Sequence, residues 1–360
     1  MSQNTITFNT VIHAYSQSKH SDAPSRAEHL LNEMQTLHKN GYPNVAPDAH
    51  SFASVLNAYA NSSDPHAAEK ADGILKHMQQ LQSDGNMDIK VNTVCCATVI
   101  KAYSRSRTLK GAYRAEEILD WMLEQYQGGF NPDVKPNTIC FTSVCEAWAQ
   151  SKAPESVAKV KSLISRMKAT DINGVYPNAY TYNSLLTAIS KSKDSKKALM
   201  ALEVLDSMKK DTNLHVNSFS YSIVLNACSY TNGSNDDRYK ALKVAIAVLD
   251  EAIQNATPHD RLNVVYGSFF QACANLTPSI EEKMKIERVI QTVFEQCCEK
   301  GQVDSKLIHQ VRKSCSHRLF QNLFGHFPTF PKIDEKDIPL AWKKGVVRKK
   351  SNQRRHFPTS

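Results

Sequence analysis

The stretch PNAYTYNSLLTA at residues 177–188 decides the fold, because the same phrase recurs along the chain. PNTICFTSVCEA at 136–147 is a close copy, and PDAHSFASVLNA at 47–58 and VNSFSYSIVLNA at 216–227 are more distant copies. Each copy places Asn or Asp before a run of aromatic, small and aliphatic residues and ends in alanine. Self-similarity of this kind is typical of a stacked array of short repeats.

The spacing inside each repeat is constant. In five repeats the alanine that ends the phrase is followed 20 residues later by a methionine that ends a second apolar segment. Apolar residues recur in both segments at i, i+3, i+4 and i+7, which predicts two amphipathic helices in each repeat. We therefore predict an all-α fold, a right-handed α-solenoid of stacked antiparallel helix pairs. The spaced residues are Ala14, Ala58, Ala102, Ala147 and Ala188, with Met34, Met78, Met122, Met167 and Met208.

The repeats divide the chain into three parts. Residues 1–258 contain six repeats, residues 259–325 a degenerate seventh repeat and a helical cap, and residues 326–360 an extended, basic C-terminal tail. The repeats are 39 to 45 residues long, and their lengths vary most between the methionine and the next Asn or Asp. We expect these insertions to form loops on one face of the array. Because the first residues are already a copy of the phrase, we expect a leader or further repeats upstream.

Composition excludes several classes of protein. The longest apolar run, VAIAVL at 244–249, is far too short to span a bilayer. The net charge is +9, but seven of the cations lie between Ile338 and Ser360, which leaves 37 basic and 35 acidic residues elsewhere. A function in nucleic-acid binding therefore cannot be argued from the overall charge. The nine cysteines contain no Cys-x-x-Cys pair and predict a reducing compartment without a disulfide framework.

The repeat resembles that of the pentatricopeptide repeat family. PNAYTYNSLLTAISKSKDSKKALMALEVLDSMKK at 177–210 is close to a full repeat of this family, and TITFNTVIHAYSQS at 5–18 is similar. The resemblance covers residues 4–255 well and 260–298 weakly, and the repeats are longer than is usual in the family. It implies a P-type-like array that binds single-stranded RNA, one base to each repeat. It also implies a mitochondrial or chloroplast protein that acts in RNA processing, stability or translation.

The resemblance further implies a monomer that needs no cofactor, with single-stranded RNA and other RNA-processing proteins as partners and no membrane. The alternative is a solenoid scaffold for protein–protein interaction without RNA. No enzyme activity is expected, because the His-x-Glu and Cys-x-x-Cys motifs of zinc deaminases are absent. Cysteines and histidines do gather near residues 297–317, but their spacing matches no standard zinc finger.

In the family, two residues of each repeat read one base. The reading residue follows the aromatic position of the first helix, and the closing residue stands just before the next first helix. The closing residues have a structural alternative, because Asn and Asp are favoured at helix N-caps. The reading residues are Asn9, Ala53, Ala97, Thr142, Asn183 and Ser222, and the closing residues are Asp48, Asn92, Asn137, Asn178 and Asn217. The family's pairing rules imply U for Asn9 with Asp48, A for Thr142 with Asn178, and C for Asn183 with Asn217.

Two further sets of residues follow from the resemblance. Side chains three positions before each reading residue stack on bases in the family, although they could equally pack between helices. They are Ile6, His50, Val94, Ile139, Tyr180 and Phe219. Cations at the ends of first helices could contact phosphates, although a cation there also complements the helix dipole. These are Arg105, Lys152 and Lys191.

Overall fold

The computed structural model describes residues 4–86, 88–257, 260–277, 279–327, 330–333 and 335–346. Within these ranges all regular structure is helical, with 17 α-helices and two short 3₁₀ turns and no strand. The chain divides into an N-terminal body, Met1–Ala188, and a C-terminal body, Ile189–Ser360. The boundary falls inside a helix, and each body is described by itself.

The N-terminal body is a stack of helix pairs. From residue 5 to residue 151 the first helices pack on one another in succession, and each second helix packs on its own first helix and on the next one. The predicted all-α fold of stacked helix pairs is therefore confirmed. The helices are α1 (Thr5–Gln17), α2 (Ala23–Lys39), α3 (Ala49–Asn61), α4 (Ala67–Ser83), α5 (Thr93–Ser106), α6 (Leu109–Gln127), α7 (Thr138–Ser151), α8 (Ser156–Ala169) and α9 (Ala179–Lys191), of which the last crosses into the C-terminal body.

The C-terminal body continues the same pattern and ends in a short returning segment. Helix α11 packs on α13 and α13 on α15, while α17 contacts α14. The backbone of residues 342–345 returns to the chain at Gly301 and Val303, where Val303 N–H donates to Trp342 C=O at 2.8 Å. The helices are α10 (Lys197–Lys210), α11 (Ser218–Ser229), α12 (Asn235–Gln254), α13 (Leu262–Leu276), α14 (Ile280–Glu299), α15 (Ser305–Ser314), α16 (His317–Phe324) and α17 (Leu340–Lys343).

The predicted tail, residues 326–360, is described only in part. Inside it, α17 places Trp342 against the rings of Phe294 and Phe327, at centroid distances of 5.7 and 5.9 Å. Most of the cations that give the tail its charge lie in residues 347–360, outside the described residues. The role of the tail therefore remains a sequence prediction.

The constant spacing of the repeat has a structural cause. The five methionines of the 20-residue spacing are all at most 1% exposed, so they pack in the core between helices. In the N-terminal body a glycine with positive φ, between 73° and 92°, follows each methionine seven residues later. The first three turn the chain directly after the C-cap of a second helix, and the fourth lies in the loop after α8. Glycine adopts this conformation without the steric cost that other residues incur. These glycines are Gly41, Gly85, Gly129 and Gly174.

The loops after these glycines are anchored and not free. Three residues before each closing residue, an aliphatic side chain is buried to 7% exposure or less. This buried side chain fixes where the chain enters the next first helix, even though the loop lengths differ. The anchoring residues are Val45, Ile89, Val134 and Val175.

Candidate functional site

The closing residues are helix N-caps. The Oδ1 atoms of Asp48, Asn92, Asn137 and Asn178 each accept the backbone N–H three residues further on, at 2.8 to 3.1 Å. Asn217 in the C-terminal body does the same at 3.2 Å. The capping alternative is thus correct at all five positions. It engages one polar atom of each side chain and leaves the other for a second partner.

The first reading residue meets its closing residue directly. Nδ2 of Asn9 donates to both carboxylate oxygens of Asp48, at 3.1 and 3.2 Å, across 39 residues of sequence. Its Oδ1 accepts from the Ser51 hydroxyl at 2.6 Å. Burial acts to raise the pKa of Asp48, but the hydrogen bonds from Ser51 and Asn9 outweigh it and hold that pKa below its usual value.

A second pair in the N-terminal body is joined through one hydroxyl. Oγ1 of Thr142 lies 2.9 Å from Oγ1 of Thr181, which in turn lies 3.2 Å from Oδ1 of Asn178. Ala53 and Ala97 occupy the same position of their first helices, are half-buried and offer no polar group.

The last two reading residues are both buried. Oδ1 of Asn183 is buried and has no hydrogen-bond partner. Asn217 and Ser222 belong to the C-terminal body, where the hydroxyl of buried Ser222 donates to Ser218 C=O at 2.7 Å. Asn183 and Ser222 are thus only 5% and 3% exposed.

The six residues proposed to stack on bases all lie on the surface. Ile6, Val94, Ile139 and Tyr180 are 74%, 66%, 65% and 73% exposed, and His50 is exposed as well. Phe219 in the C-terminal body is 58% exposed. Packing between helices is therefore the wrong interpretation for these side chains. Exposed side chains therefore recur at one structural position of the repeat.

A set of threonines that the sequence analysis did not single out fixes the entrances of three first helices. Oγ1 of Thr5 donates to the carbonyls of Ala46 (2.8 Å) and Asn44 (3.2 Å), in the loop that leads to the next repeat. Thr93 and Thr138 make the equivalent pairs of bonds, at 2.7 and 3.1 Å and at 3.4 and 3.0 Å. We call these three contacts the threonine clamps. The signal was present in the sequence, because each clamp residue follows an asparagine, at 4–5, 92–93 and 137–138.

The three candidate phosphate contacts differ from one another. The guanidinium of Arg105 donates to Ala60 C=O and lies 3.4 Å from Asn61 Oδ1, so it completes the carboxyl end of α3. Lys152 is exposed and adopts a left-handed conformation with φ of 59° at the end of α7. Lys191, at the end of α9, is half-buried and belongs to the C-terminal body. Arg105 and Lys152 are thus both exposed, but the Arg105 guanidinium is already bound to the end of α3.

The cysteines do not form a chemical site. All nine are free, and all but Cys298 are buried. Burial raises the pKa of the Cys145, Cys228 and Cys273 thiols to about 12. Within the described residues no three His, Cys, Asp or Glu side chains are placed to hold a metal ion. Those residues also include no helix with the length and apolarity needed to cross a membrane.

Comparison with known proteins gives a family for the central segment. The model of the PPR repeat family matches residues 177–229, which comprise α9, α10 and α11. Residues 177–229 carry pentatricopeptide repeat sequence. A crystal structure of the pentatricopeptide repeat protein PPR10 from maize is similar to 90% of the chain, with 17% identity and a TM-score of 0.45. The chain spans about half of that protein, since the match covers 48% of it. No curated protein matches the chain.

Proposed function

We propose that this pentatricopeptide repeat protein binds single-stranded RNA along the entrances of its first helices, and that it acts in RNA processing, stability or translation in a mitochondrion or chloroplast. The observation that carries the proposal is the row of exposed side chains from Ile6 to Tyr180. Each member of the row lies three residues before a reading residue on the same helix. The spacing suits a ligand whose apolar faces and polar edges repeat together, as the bases of a nucleic acid do.

The two rings of the row, His50 and Tyr180, support stacking without base preference. Aromatic side chains stack on any base, because every base presents a flat π-face. Single-stranded RNA is the suitable ligand, because its unpaired bases are free to turn away from the strand and stack on protein side chains. The net charge of the chain does not enter this argument.

The paired polar residues supply base selectivity in this proposal. Because each capping asparagine uses Oδ1 for the helix, its Nδ2 remains a donor towards a base edge. Asp48 instead offers carboxylate oxygens, already shared with the Asn9 amide. We propose U at the Asn9 repeat and A at the Thr142 repeat, while the repeats of Ala53 and Ala97 accept any base.

Asn183 gives a further reason to place a polar ligand here. A buried carbonyl oxygen without a partner costs on the order of 1–3 kcal/mol, and Oδ1 of Asn183 is such an atom. Rotation of the amide towards the exposed entrance of α9 would let a base amine satisfy it. This is consistent with the base C that the family resemblance implies for the Asn183 repeat.

Binding to a pool of short, random, single-stranded RNA across a salt series tests the proposal. We expect measurable affinity that falls as salt rises, and a loss of about 1–3 kcal/mol on Tyr180→Ala because a stacking surface is removed. Asn183→Ala should broaden the base preference of the bound RNA relative to wild type, because a base-reading side chain is removed. Tyr239→Ala is the matched control, since Tyr239 is 57% exposed but lies on the second helix α12.

Two outcomes would contradict RNA binding through this surface. One is an absence of affinity at low salt. The other is affinity that disappears entirely when residues 347–360 are removed, since the tail and not the repeats would then hold the RNA. Binding of peptides with no binding of RNA would favour the protein scaffold.

A further inference from the structure

Three exposed aromatic side chains in the loops of the N-terminal body have no part in the function proposed above. Tyr42, Phe130 and Tyr176 are 59%, 75% and 64% exposed. Each follows a left-handed glycine by one or two residues, in the insertions that make these repeats long. We refer to them as the loop rings.

The threonine clamps hold the backbone at or near two of the loop rings to the first-helix entrances that carry the stacking row. The carbonyl of Tyr176 accepts from the Thr138 hydroxyl at 3.4 Å, and the next residue of α7 is exposed Ile139. Tyr42 lies two residues before Asn44, whose carbonyl accepts from the Thr5 hydroxyl at 3.2 Å. The residue after Thr5 is exposed Ile6.

The third loop ring is held by a different bond at the equivalent place. Nδ2 of Asn131, directly after Phe130, donates to the carbonyl of Val91 at 3.3 Å. Val91 lies just before the N-cap of α5, and Val94 in its first turn is exposed. All three loop rings therefore flank a first-helix entrance whose stacking residue is aliphatic.

The other entrances show the complementary pattern. In α3 and α9 the stacking residue is itself a ring, His50 and Tyr180. The connections that follow their repeats, 84–91 and 209–216, contain no Phe, Tyr or Trp. Each of the five entrances thus has at least one ring, carried either by the helix or by the loop, and the connection 209–216 also contains His215.

We propose that the loop rings complete the base-stacking row, so that every repeat of the N-terminal body presents one ring to single-stranded RNA. This inference rests on the RNA-binding function proposed above. It gives the long loops a role: where the helix supplies Ile or Val, the insertion supplies the aromatic surface. An aromatic ring adds to the flat contact that an aliphatic side chain provides on a base.

Helix termination does not account for the loop rings. The N–H groups of Tyr42 and Phe130 bond to the carbonyls of Leu37 and Gln125, at 3.2 and 3.0 Å, in a common helix-ending arrangement. Asn86 makes the same bond, to Leu81 at 3.0 Å, without any ring. Since the arrangement also forms with asparagine, it does not itself require an aromatic ring, although the Phe130 ring does lie against Gly128.

Replacing the loop rings by leucine tests the inference. Tyr42→Leu, Phe130→Leu and Tyr176→Leu, alone and together, are titrated against a fluorescently labelled pool of short random single-stranded RNA. We expect each to weaken binding roughly fivefold or more, as Tyr180→Leu should, and the triple variant to weaken it further. Tyr239→Leu should bind like wild type. Thermal unfolding of each variant reports whether the fold is retained.

Moving an aromatic ring from the loop to the helix is the most decisive test. Ile139→Phe introduced into Tyr176→Leu moves the ring from the loop to the helix of the same entrance, and we expect it to restore most of the lost affinity. If the loop variants bind like wild type while Tyr180→Leu is weakened, the loop rings do not stack on RNA and only this inference is wrong. Loop variants weakened without rescue by Ile139→Phe also contradict it. A wild-type protein that binds no RNA removes both proposals.

Discussion

The two bodies use one position of the repeat in opposite ways. The residue directly after the alanine that ends the phrase is aromatic in the N-terminal body (Tyr15, Tyr59, Tyr103 and Trp148), but Ile189, Cys228 or Cys273 in the C-terminal body. Tyr15 is half-buried and the other six side chains are buried. The same helical pattern therefore accepts a large aromatic residue with a polar atom, an aliphatic residue or a small thiol.

The aromatic residues reach across to the preceding repeat. The Tyr59 hydroxyl donates to Glu28 on α2 at 2.5 Å, and Nε1 of Trp148 donates to Glu116 on α6 at 2.9 Å. A cation from the following second helix completes the group, since Lys159 bonds to Glu116 at 3.0 Å and lies 5.0 Å from the centroid of the Trp148 ring. The N-terminal body is thus joined by repeating polar contacts.

The buried thiols of the C-terminal body make no such contact. Burial raises the pKa of Cys228 and of Cys273 to about 12, so both remain protonated and act as small apolar groups. At this position the N-terminal body adds polar bridges to apolar packing, whereas the C-terminal body makes its polar contacts elsewhere, as where Lys209 on α10 bonds to Glu251 on α12 at 2.9 Å. Polar bridges at fixed spacing also restrict which repeats fit together.

Trp148→Ala, compared with Cys228→Ala, should distinguish the bridging aromatic residue from the buried thiol most clearly. The substitution leaves a large cavity and removes the donor to Glu116, and we expect a loss of about 3–5 kcal/mol in the free energy of unfolding. Cys228→Ala removes a single sulfur atom and should cost on the order of 1 kcal/mol. Denaturant unfolding followed by circular dichroism measures both. Equal losses of unfolding free energy in the two variants would mean that Trp148 contributes no more to stability than Cys228 does.

Thr138→Val tests the clamps with a side chain of nearly equal shape. We expect a loss of about 1 kcal/mol, because two carbonyl groups of the loop lose their donor. Thr10→Val is the matched control, since the Thr10 hydroxyl is exposed and bonds only to Ile6 C=O within its own helix, at 2.8 Å. Hydrogen exchange of the 170–178 loop should rise in the first variant and stay unchanged in the second. Equal behaviour of the two would show that the clamp does not hold the loop.

The smallest expected effect depends on pH. Asp48 and, in the C-terminal body, Asp260 both have a folded-state pKa below the usual value; burial opposes this, but hydrogen bonds from Ser51 and from Thr257 respectively favour the carboxylate. A lowered folded-state pKa stabilises the fold above the unfolded-state pKa, and that stability is lost as the pH falls through the folded value. The advantage of wild type over Asp48→Asn or Asp260→Asn should therefore be present at neutral pH and shrink below about pH 4. A difference in unfolding free energy that stays constant across this pH range would contradict the lowered pKa of the aspartate concerned.

The fold could be predicted from the sequence because the spacing within each repeat is set by how the two helices pack on each other. The alanine-to-methionine spacing was constant, and the methionines prove to be core residues that a shift of one position would expose. The left-handed glycines and the buried loop anchors keep constant offsets too, from the preceding methionine and to the next closing residue. They were harder to recognise because the loop between them varies in length.

The site was less predictable, because exposure depends on neighbouring repeats. Nothing in the residue Ile139 distinguishes a core side chain from a surface one until α7 is placed between its neighbours. The conformation of Arg105 likewise depends on where the preceding helix ends, and the structure turns it towards Ala60. Lys152, by contrast, is exposed, as a phosphate contact requires.

The capping role of the closing residues limits how such a protein can evolve. Only Asn and Asp both cap the helix with one side-chain oxygen and keep a second polar atom at the same place, a donor in one and an acceptor in the other. A single nucleotide change interconverts their codons. On the proposed function, a repeat could change its preferred base through one point mutation while its helix still began at the same residue, so binding specificity could drift without any loss of fold.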